Sequence, residues 1–272
     1  LNLAYNATTK SKTNCAVAYF SLEMPANMLF KRLVSADSNV EFDNLISGYG
    51  LTPNKRLKLQ QSCERMAQKK IYVDDTSGIK LLDLVAKCRK LHDQEPDLGL
   101  IVVDYIGLVT TSQKTKSESR QLEVQLISQT LKKLALDLKV PVLGVAQLNR
   151  NVEQRMGGEP QLSDLRESGS IEQDADIVLM LQEKKFNETV DPKNQIEKHN
   201  AQVAEAQEKA AGAGGDIKLV NLFIRKNRSG KMGTVPLLFN KNFCRFDSLS
   251  EEGERKYQEL ENESINYLPT GE

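Results

Sequence analysis

One short stretch, Leu98–Asp104, most constrains how this chain can fold. Four consecutive apolar residues, three of them β-branched, precede its last residue and predict a strand that is buried on both faces. The strand ends on the carboxylate of Asp104. Ligands of open α/β sheets bind at the carboxyl ends of the strands, where an aspartate can hold Mg²⁺ against nucleotide phosphates. Buried strands also end on aspartate to cap a turn, so this stretch alone leaves both interpretations open.

Strand patterns and amphipathic helix patterns alternate along the rest of the chain. Further strands are predicted at residues 16–20, 71–73, 141–146, 177–181 and 218–225, with residues 234–239 as the hairpin partner of the last. Helices are predicted at the start of the chain, after Pro25, after Thr52, over residues 81–91 and over residues 122–138. This alternation predicts a mostly parallel sheet with right-handed crossovers, covered by helices.

Three segments depart from this alternation. Residues 110–120 are polar and lack periodicity, which indicates either a long functional loop or disorder. Residues 187–215 are rich in Ala, Glu, Gln and Lys and end in a glycine-rich run, so we predict an exposed inserted helix with a flexible exit. We therefore predict one domain over residues 1–247, which includes this insertion, and an acidic tail over residues 248–272.

The charge and cysteine content exclude several classes of protein. Lys and Arg number 37 and so do Asp and Glu, so a polyanionic partner has to be met by a local patch. Seven basic residues and no acid lie between Asp216 and Asp247, although such blocks are usually solvated faces. The four cysteines form no CxxC pair, which argues against zinc and fits a reducing compartment. No signal peptide or long apolar span is evident, so we expect a cytoplasmic protein with no membrane partner.

Three polar residues follow predicted strands, namely Glu23, Asp104 and Gln147. If their strands are neighbours in a parallel sheet, the three side chains meet at one edge. A nucleotide hydrolase needs such a set, with an acid for the metal, a base for water and an amide to sense the γ-phosphate.

Five runs of residues closely resemble, in order, the motifs of the bacterial replicative DNA helicase DnaB family, in its C-terminal RecA-like motor domain. They are SLEM at 21–24, LIVVDY at 100–105, VPVLGVAQLNRNVEQR at 140–155, SDLRESGSIEQDAD at 163–176 and KNRSG at 226–230. The resemblance extends over residues 1–246. It implies an α/β, RecA-like, mostly parallel sheet flanked by helices with a C-terminal β-hairpin. It also implies a homo-hexameric ring that moves along single-stranded DNA using ATP and Mg²⁺, with primase and a helicase loader as partners.

The resemblance assigns roles at the nucleotide. Glu23 is implied as the catalytic base for water, Asp104 as the acid associated with Mg²⁺, and Arg32 as a nucleotide contact. Gln147 is implied as the γ-phosphate sensor that links hydrolysis to DNA. An acid, a base and an amide at one edge are the groups that phosphoryl transfer requires.

The resemblance also assigns roles away from this edge. Lys226 and Arg228 are implied to reach the nucleotide of the neighbouring subunit, with Arg228 as the arginine finger. Arg166, Glu167 and Gly169 are implied to lie on a loop that faces the central channel, where Arg166 and backbone amides bind DNA phosphates.

Purely structural interpretations of these residues stay open. Glu23 also suits the start of a helix, Arg32 suits a helix surface, and Gln147 suits a turn. Arg166 and Glu167 can form a local ion pair, which contributes little at a surface. Lys226 and Arg228 can simply be solvated.

The sequence departs from the family pattern in one large respect. The family has a glycine-rich phosphate loop ending in Gly-Lys-Ser/Thr before the first helix, and no such run occurs in the 272 residues. The N-terminal collar domain of the family is also missing. We therefore expect a fragment that binds ATP poorly and hydrolyses none, because the backbone cradle and the lysine for the phosphates are absent.

Two alternative functions stay open at this point. A RecA-type recombination or repair ATPase shares the core sheet but forms open filaments, and light scattering distinguishes filaments from rings. A non-catalytic DNA-binding or assembly module that has lost its phosphate loop is the second alternative, although it leaves the retention of Glu23, Asp104, Gln147 and Arg228 unexplained.

Overall fold

A four-stranded parallel sheet forms the first half of the molecule. The computed structural model describes residues 1–9, 15–111, 120–149, 152, 159–165, 169–183, 216–251, 253–255 and 257. The sheet consists of β1 (Ala16–Ser21), β2 (Ile71–Asp74), β3 (Leu98–Asp104) and β4 (Val142–Gly144) in the order β2-β1-β3-β4. All three pairs of neighbouring strands are parallel, as the alternation of strands and helices predicts.

Helices precede, connect and follow these strands. They are α1 (Asn2–Thr9), α2 (Ala26–Ser38), α3 (Phe42–Ser47), α4 (Pro53–Ala67), α5 (Leu81–Gln94), α6 (Arg120–Leu138) and α7 (Gly169–Asp174). The hydroxyl of Thr52 caps α4 by accepting a hydrogen bond from the Lys55 N–H at 3.3 Å, and Pro53 occupies its first turn. A carboxylate from another element, Asp75, accepts the Ala26 N–H at 2.9 Å and so satisfies the start of α2.

Both faces of the parallel sheet are covered by helices, which explains its continuous apolar strands. Side chains alternate along β1, so that Ala18 and Phe20 face α5 and α6. Val17 and Tyr19 face α1 and α2 on the other side. The largest cluster contains, among others, Leu84, Cys88, Ile101, Val103, Ile127 and Leu134. The prediction that residues 100–103 are buried on both faces is confirmed for Ile101, Val102 and Val103, whereas Leu100 is only half-buried.

The last part of the molecule forms a second, antiparallel sheet. Its strands are β5 (Ile177–Glu183), β6 (Ile217–Asn227), β7 (Gly233–Asn240) and β8 (Arg245–Ser248), in that order. The predicted hairpin of β6 and β7 is confirmed. Strand β8 and helix α3 escaped prediction, because four and six residues are too short to show a periodicity.

For two predicted strands, the structure shows a different length, burial or pairing from the prediction. The strand predicted over residues 141–146 shrinks to three residues in β4, and Val145 is 38% exposed because β4 pairs only with β3 in the described sheet. The strand predicted over residues 177–181 pairs with β6 instead of joining the parallel sheet. Ile177, Leu179 and Leu181 are consequently exposed, while Val178 and Met180 are buried.

Several predictions fall outside the described residues. These are the insertion at 187–215, most of the loop at 110–120 and most of the acidic tail at 248–272, although the predicted boundary at 247 lies beside the end of β8. Among the described residues, no helix is long and apolar enough to span a membrane.

Candidate active site

The parallel sheet brings Glu23, Asp104 and Gln147 to one edge. Ser21 at the end of β1 pairs with Asp104, and Val103 pairs with Gly144 at the end of β4. Glu23 follows the end of β1 by two residues and Gln147 follows the end of β4 by three. Because these are the carboxyl ends of adjacent parallel strands, the three residues share the edge where such sheets bind ligands. Glu23 and Gln147 are exposed, and Asp104 is partly buried.

A buried tyrosine orients the carboxylate of Asp104. The hydroxyl of Tyr19 donates a hydrogen bond to Asp104 Oδ2 at 2.7 Å, and the Leu22 N–H donates to the Asp104 carbonyl at 2.8 Å. Burial, followed by this hydrogen bond and the negative charge of Asp104, raises the pKa of Tyr19 far above its usual 10. The phenol therefore stays protonated and remains a donor to Asp104 at physiological pH.

The sequence interpretation did not identify Tyr19. Its position inside the apolar run AVAYF suggests a core residue, and its side chain is 2% exposed. A signal was nevertheless present, because a buried tyrosine hydroxyl usually needs a hydrogen-bond partner. That partner, Asp104, lies on a strand that is distant in the sequence, so the local pattern could not identify it.

The first turn of α1 lies at the same edge of the sheet. Leu1 packs against the cluster that contains Tyr19 and Val102, as does Met24, which follows the end of β1. The side chain of Asn2 anchors this turn by donating to the Cys244 carbonyl at 3.1 Å and accepting the Phe246 N–H at 3.2 Å. The N-terminal end of a helix attracts anions through its free N–H groups and its dipole.

Arg32 on α2 presents an unsatisfied donor near this edge. Its guanidinium carbon lies 5.8 Å from the ring centroid of Phe42. Its Nε atom is buried and has no hydrogen-bond partner among the described residues. A buried donor without a partner is unfavourable, and an anionic ligand would satisfy it. The structure thus fits the prediction that Arg32 contacts a nucleotide.

The chain that follows Gln147 pairs with the chain that precedes Arg166. Leu148 and Leu165 form an isolated antiparallel bridge, and the Asn149 N–H donates to the Asp164 carbonyl at 2.8 Å. Arg166 and Glu167 lie outside the described residues, and Gly169 opens α7 in an exposed position. The backbone therefore connects the edge that carries Gln147 to the start of the predicted DNA-binding loop.

The two basic residues Lys226 and Arg228 lie on the second sheet and contact the region of α7. Lys226 at the end of β6 donates through Nζ to the carbonyls of Glu172 and Gln173. Arg228, in the turn between β6 and β7, forms an ion pair with Asp176 at 3.1 Å. Both residues thus have partners within the chain, while Arg228 remains exposed.

The residues at the edge fit a magnesium nucleotide better than a metal bound by protein alone. Among the residues that the structure describes, no group of three or more His, Cys, Asp or Glu side chains is arranged to hold a metal ion. Mg²⁺ in nucleotide sites typically uses one or two carboxylates and takes its other ligands from phosphates and water. Asp104, with one oxygen held by Tyr19, provides such a carboxylate.

Comparison with known proteins shows the family of the chain. Residues 1–248 match the family model of the DnaB-like helicase C-terminal domain. The chain is 42% identical over 262 residues to replicative DNA helicase DnaB of Geobacillus stearothermophilus, covering 96% of this chain and 50% of that protein. It is 40% identical over 250 residues to replicative DNA helicase DnaC of Bacillus subtilis, covering 92% and 49%. The chain thus spans about half the length of these relatives.

Solved structures agree with this assignment. An ATPase domain superimposes with a TM-score of 0.73 at 28% identity, over 91% of this chain and 79% of that one. A DnaB-like replicative helicase, described with its interactions with primase, superimposes with a TM-score of 0.71 at 28% identity, over 90% and 53%. The RecA-like α/β fold is therefore confirmed, and the chain belongs to the family of DnaB-like helicase C-terminal domains.

Proposed function

We propose that this chain is the ATP-hydrolysing motor of a replicative DNA helicase, which moves along single-stranded DNA as a ring of six copies. The observation that carries the proposal is the shared edge of β1, β3 and β4, where Asp104 ends β3 and Glu23 and Gln147 follow the ends of β1 and β4. The family match supports a helicase over a recombination ATPase or a non-catalytic module.

Each residue at this edge has a role in ATP hydrolysis. Asp104 holds Mg²⁺, which when bound neutralises charge on the phosphates. Glu23, exposed directly beyond β1, accepts a proton from the attacking water. Arg32 binds a phosphate through its guanidinium, whose Nε has no partner among the described residues, and the amide of Gln147 contacts the γ-phosphate. These roles require a phosphate loop in addition to the residues of this chain.

The proposed DNA contact, Arg166, directly follows Leu165 of the Leu148–Leu165 bridge in the sequence. Arg166 binds a DNA phosphate, and Glu167 and Gly169 shape the same loop, so a shift of Gln147 on hydrolysis can reach DNA through paired backbone. Primase is proposed as a partner because a solved relative is described with its interactions with primase. The helicase loader stays a prediction from the resemblance.

The arginine finger assignment is tested by complementation between subunits. In a protein that also carries the phosphate loop, Arg228→Ala should lower ATP turnover by about 10³-fold or more, because a finger stabilises charge in the transition state. Glu23→Ala should abolish turnover at its own site. Mixing the two variants should restore part of the turnover, because a Glu23→Ala subunit supplies Arg228 to its neighbour. Wild-type turnover by Arg228→Ala would remove this assignment.

A further inference from the structure

The segment from Gln173 to Asp176 binds Arg228 at three points. Arg228 Nη1 lies 3.1 Å from Asp176 Oδ1, and Nη2 donates to the Gln173 carbonyl at 2.5 Å. The backbone N–H of Arg228 donates to the Asp176 carbonyl at 2.9 Å. Lys226 also donates to the Gln173 carbonyl, at 3.3 Å. The free carbonyl of Gln173 at the end of α7 therefore binds both Lys226 on β6 and Arg228 in the turn that follows.

Asp176 joins this turn to a third element. Its Oδ2 atom accepts a hydrogen bond from Lys132 Nζ on α6, while Oδ1 receives Arg228. The hydrogen bond from Lys132, with the charges of Lys132 and Arg228, holds the pKa of Asp176 below its usual value in spite of partial burial. The carboxylate is thus ionised and divided between two cations from different elements.

Because Arg228 and Asp176 are exposed, their contacts serve to orient Arg228 more than to stabilise the fold. The side chains of Arg228 and Asp176 are 48% and 55% exposed, and exposed ion pairs contribute little to the free energy of folding. Two side-chain contacts and one backbone contact nevertheless define the direction of the guanidinium. The result is an arginine that is held in place and still accessible to a neighbouring molecule.

We propose that Asp176 is a positioning residue, which holds the guanidinium of Arg228 against the end of α7 so that it meets the nucleotide of the adjacent copy. This inference rests on the proposed function, in which Arg228 acts between subunits. Because α7 begins at Gly169, three residues after the proposed DNA contact Arg166 in the sequence, a displacement of α7 by DNA also moves Arg228. Asp176 thereby couples DNA binding to ATP turnover in the neighbouring subunit.

The test uses Asp176→Asn in the full-length protein. With saturating single-stranded DNA, we expect kcat for ATP to fall about ten-fold, while KM for ATP and the Kd for DNA stay within about two-fold, because only a transition-state contact is disturbed. The melting temperature should not change. Asp176→Glu should recover most of kcat. Asp216→Asn is the matched control, since Asp216 forms a comparable exposed ion pair with Lys241 at 2.7 Å.

The outcomes separate this inference from the proposed function. If Arg228→Ala is inactive but Asp176→Asn keeps wild-type kcat, the finger stands and the positioning role is wrong. A loss of kcat accompanied by a lower melting temperature shows a structural role for Asp176 and also overturns the inference. If Arg228→Ala itself keeps wild-type turnover, the proposed function of Arg228 fails, whatever Asp176→Asn does.

Discussion

At the residue scale, the hydrogen bond from Tyr19 to Asp104 is the clearest feature of the site that the sequence did not predict. Asp104 stands at the end of the buried strand β3, where it was predicted to associate with Mg²⁺. Tyr19 adds a fixed hydrogen bond to one carboxylate oxygen, so the direction of the other oxygen is restricted. Partners of this kind, which orient a metal ligand without touching the metal, commonly change metal affinity by 10- to 100-fold.

Replacing Tyr19 by Phe tests this contact. We expect the Mg²⁺ concentration for half-maximal ATP turnover to rise about ten-fold, because Asp104 loses its orienting donor. Titration of turnover with Mg²⁺ measures the effect. Tyr72→Phe is a suitable control, since Tyr72 also donates to a carboxylate, that of Glu95, but on the far edge strand β2. Equal Mg²⁺ curves for Tyr19→Phe and wild type would contradict the role of Tyr19.

At the element scale, a shared carboxylate joins three helices around the first sheet. Asp37 on α2 accepts hydrogen bonds from Tyr5 on α1 and from Arg65 Nε on α4, the latter at 3.0 Å. Burial raises the pKa of Asp37, but the hydrogen bonds from Tyr5 and Arg65 outweigh it, so the pKa is lower than usual. Burial and the same contact raise the pKa of Tyr5 to about 12. These hydrogen bonds fix the position of α1 relative to α2 and α4.

The lowered pKa of Asp37 predicts how stability depends on pH. A carboxylate whose pKa falls on folding stabilises the protein above its unfolded pKa of about 4, and this contribution disappears as pH falls through the folded pKa. Asp37→Asn should therefore lower the free energy of unfolding by about 1.5–3 kcal/mol at pH 7, with a smaller difference from wild type near pH 3. Urea unfolding at both pH values measures this.

The control for this prediction is Asp137→Asn. Asp137 pairs with Arg89 at 3.0 Å between α5 and α6, but both side chains are largely exposed. We expect this variant to lose no more than about 1 kcal/mol at pH 7. An equal loss for both variants would show that the partly buried carboxylate of Asp37 contributes no more than an exposed one.

At the scale of the whole molecule, the two sheets have separate tasks in the proposed function. The parallel sheet carries the proposed chemistry at its carboxyl edge, whereas the antiparallel sheet and its β6–β7 turn carry Lys226 and Arg228, which are proposed to reach the neighbouring copy. The contact between Lys132 and Asp176 and the Leu148–Leu165 bridge connect the two parts. The proposed function therefore requires elements of both sheets.

The proposed DNA contact is tested on the assembled protein. Arg166→Ala should weaken single-stranded DNA binding and lower the slope of log K against log salt by about 1, because one phosphate contact releases about one counterion. Fluorescence titrations at several salt concentrations measure the slope. An unchanged slope would place the DNA contact elsewhere, for instance in the basic block between Asp216 and Asp247.

Local patterns in the sequence were sufficient to predict most helices and strands, and also the edge of the sheet that carries Glu23, Asp104 and Gln147. Buried residues recur every two positions in a strand and every 3.6 positions in a helix, so the order of apolar and polar residues indicates the type of each element. The apolar run before Asp104 and the alternation of strand and helix patterns are examples. Parallel crossovers then place the residues after β1, β3 and β4 at a single edge, which the structure confirms. The resemblance supplied the roles of these residues, which no periodicity contains.

Only the tertiary structure decided which distant residues meet. The bond from Tyr19 to Asp104, the attachment of Arg228 to Asp176, and the pairing of β5 with β6 all join residues more than 30 positions apart. A sequence pattern reports the environment that a residue prefers, but its partner is selected by the packing of whole elements against each other. For that reason the strand at residues 177–181 was predicted correctly as a strand, while its sheet and its exposed face became evident only in three dimensions.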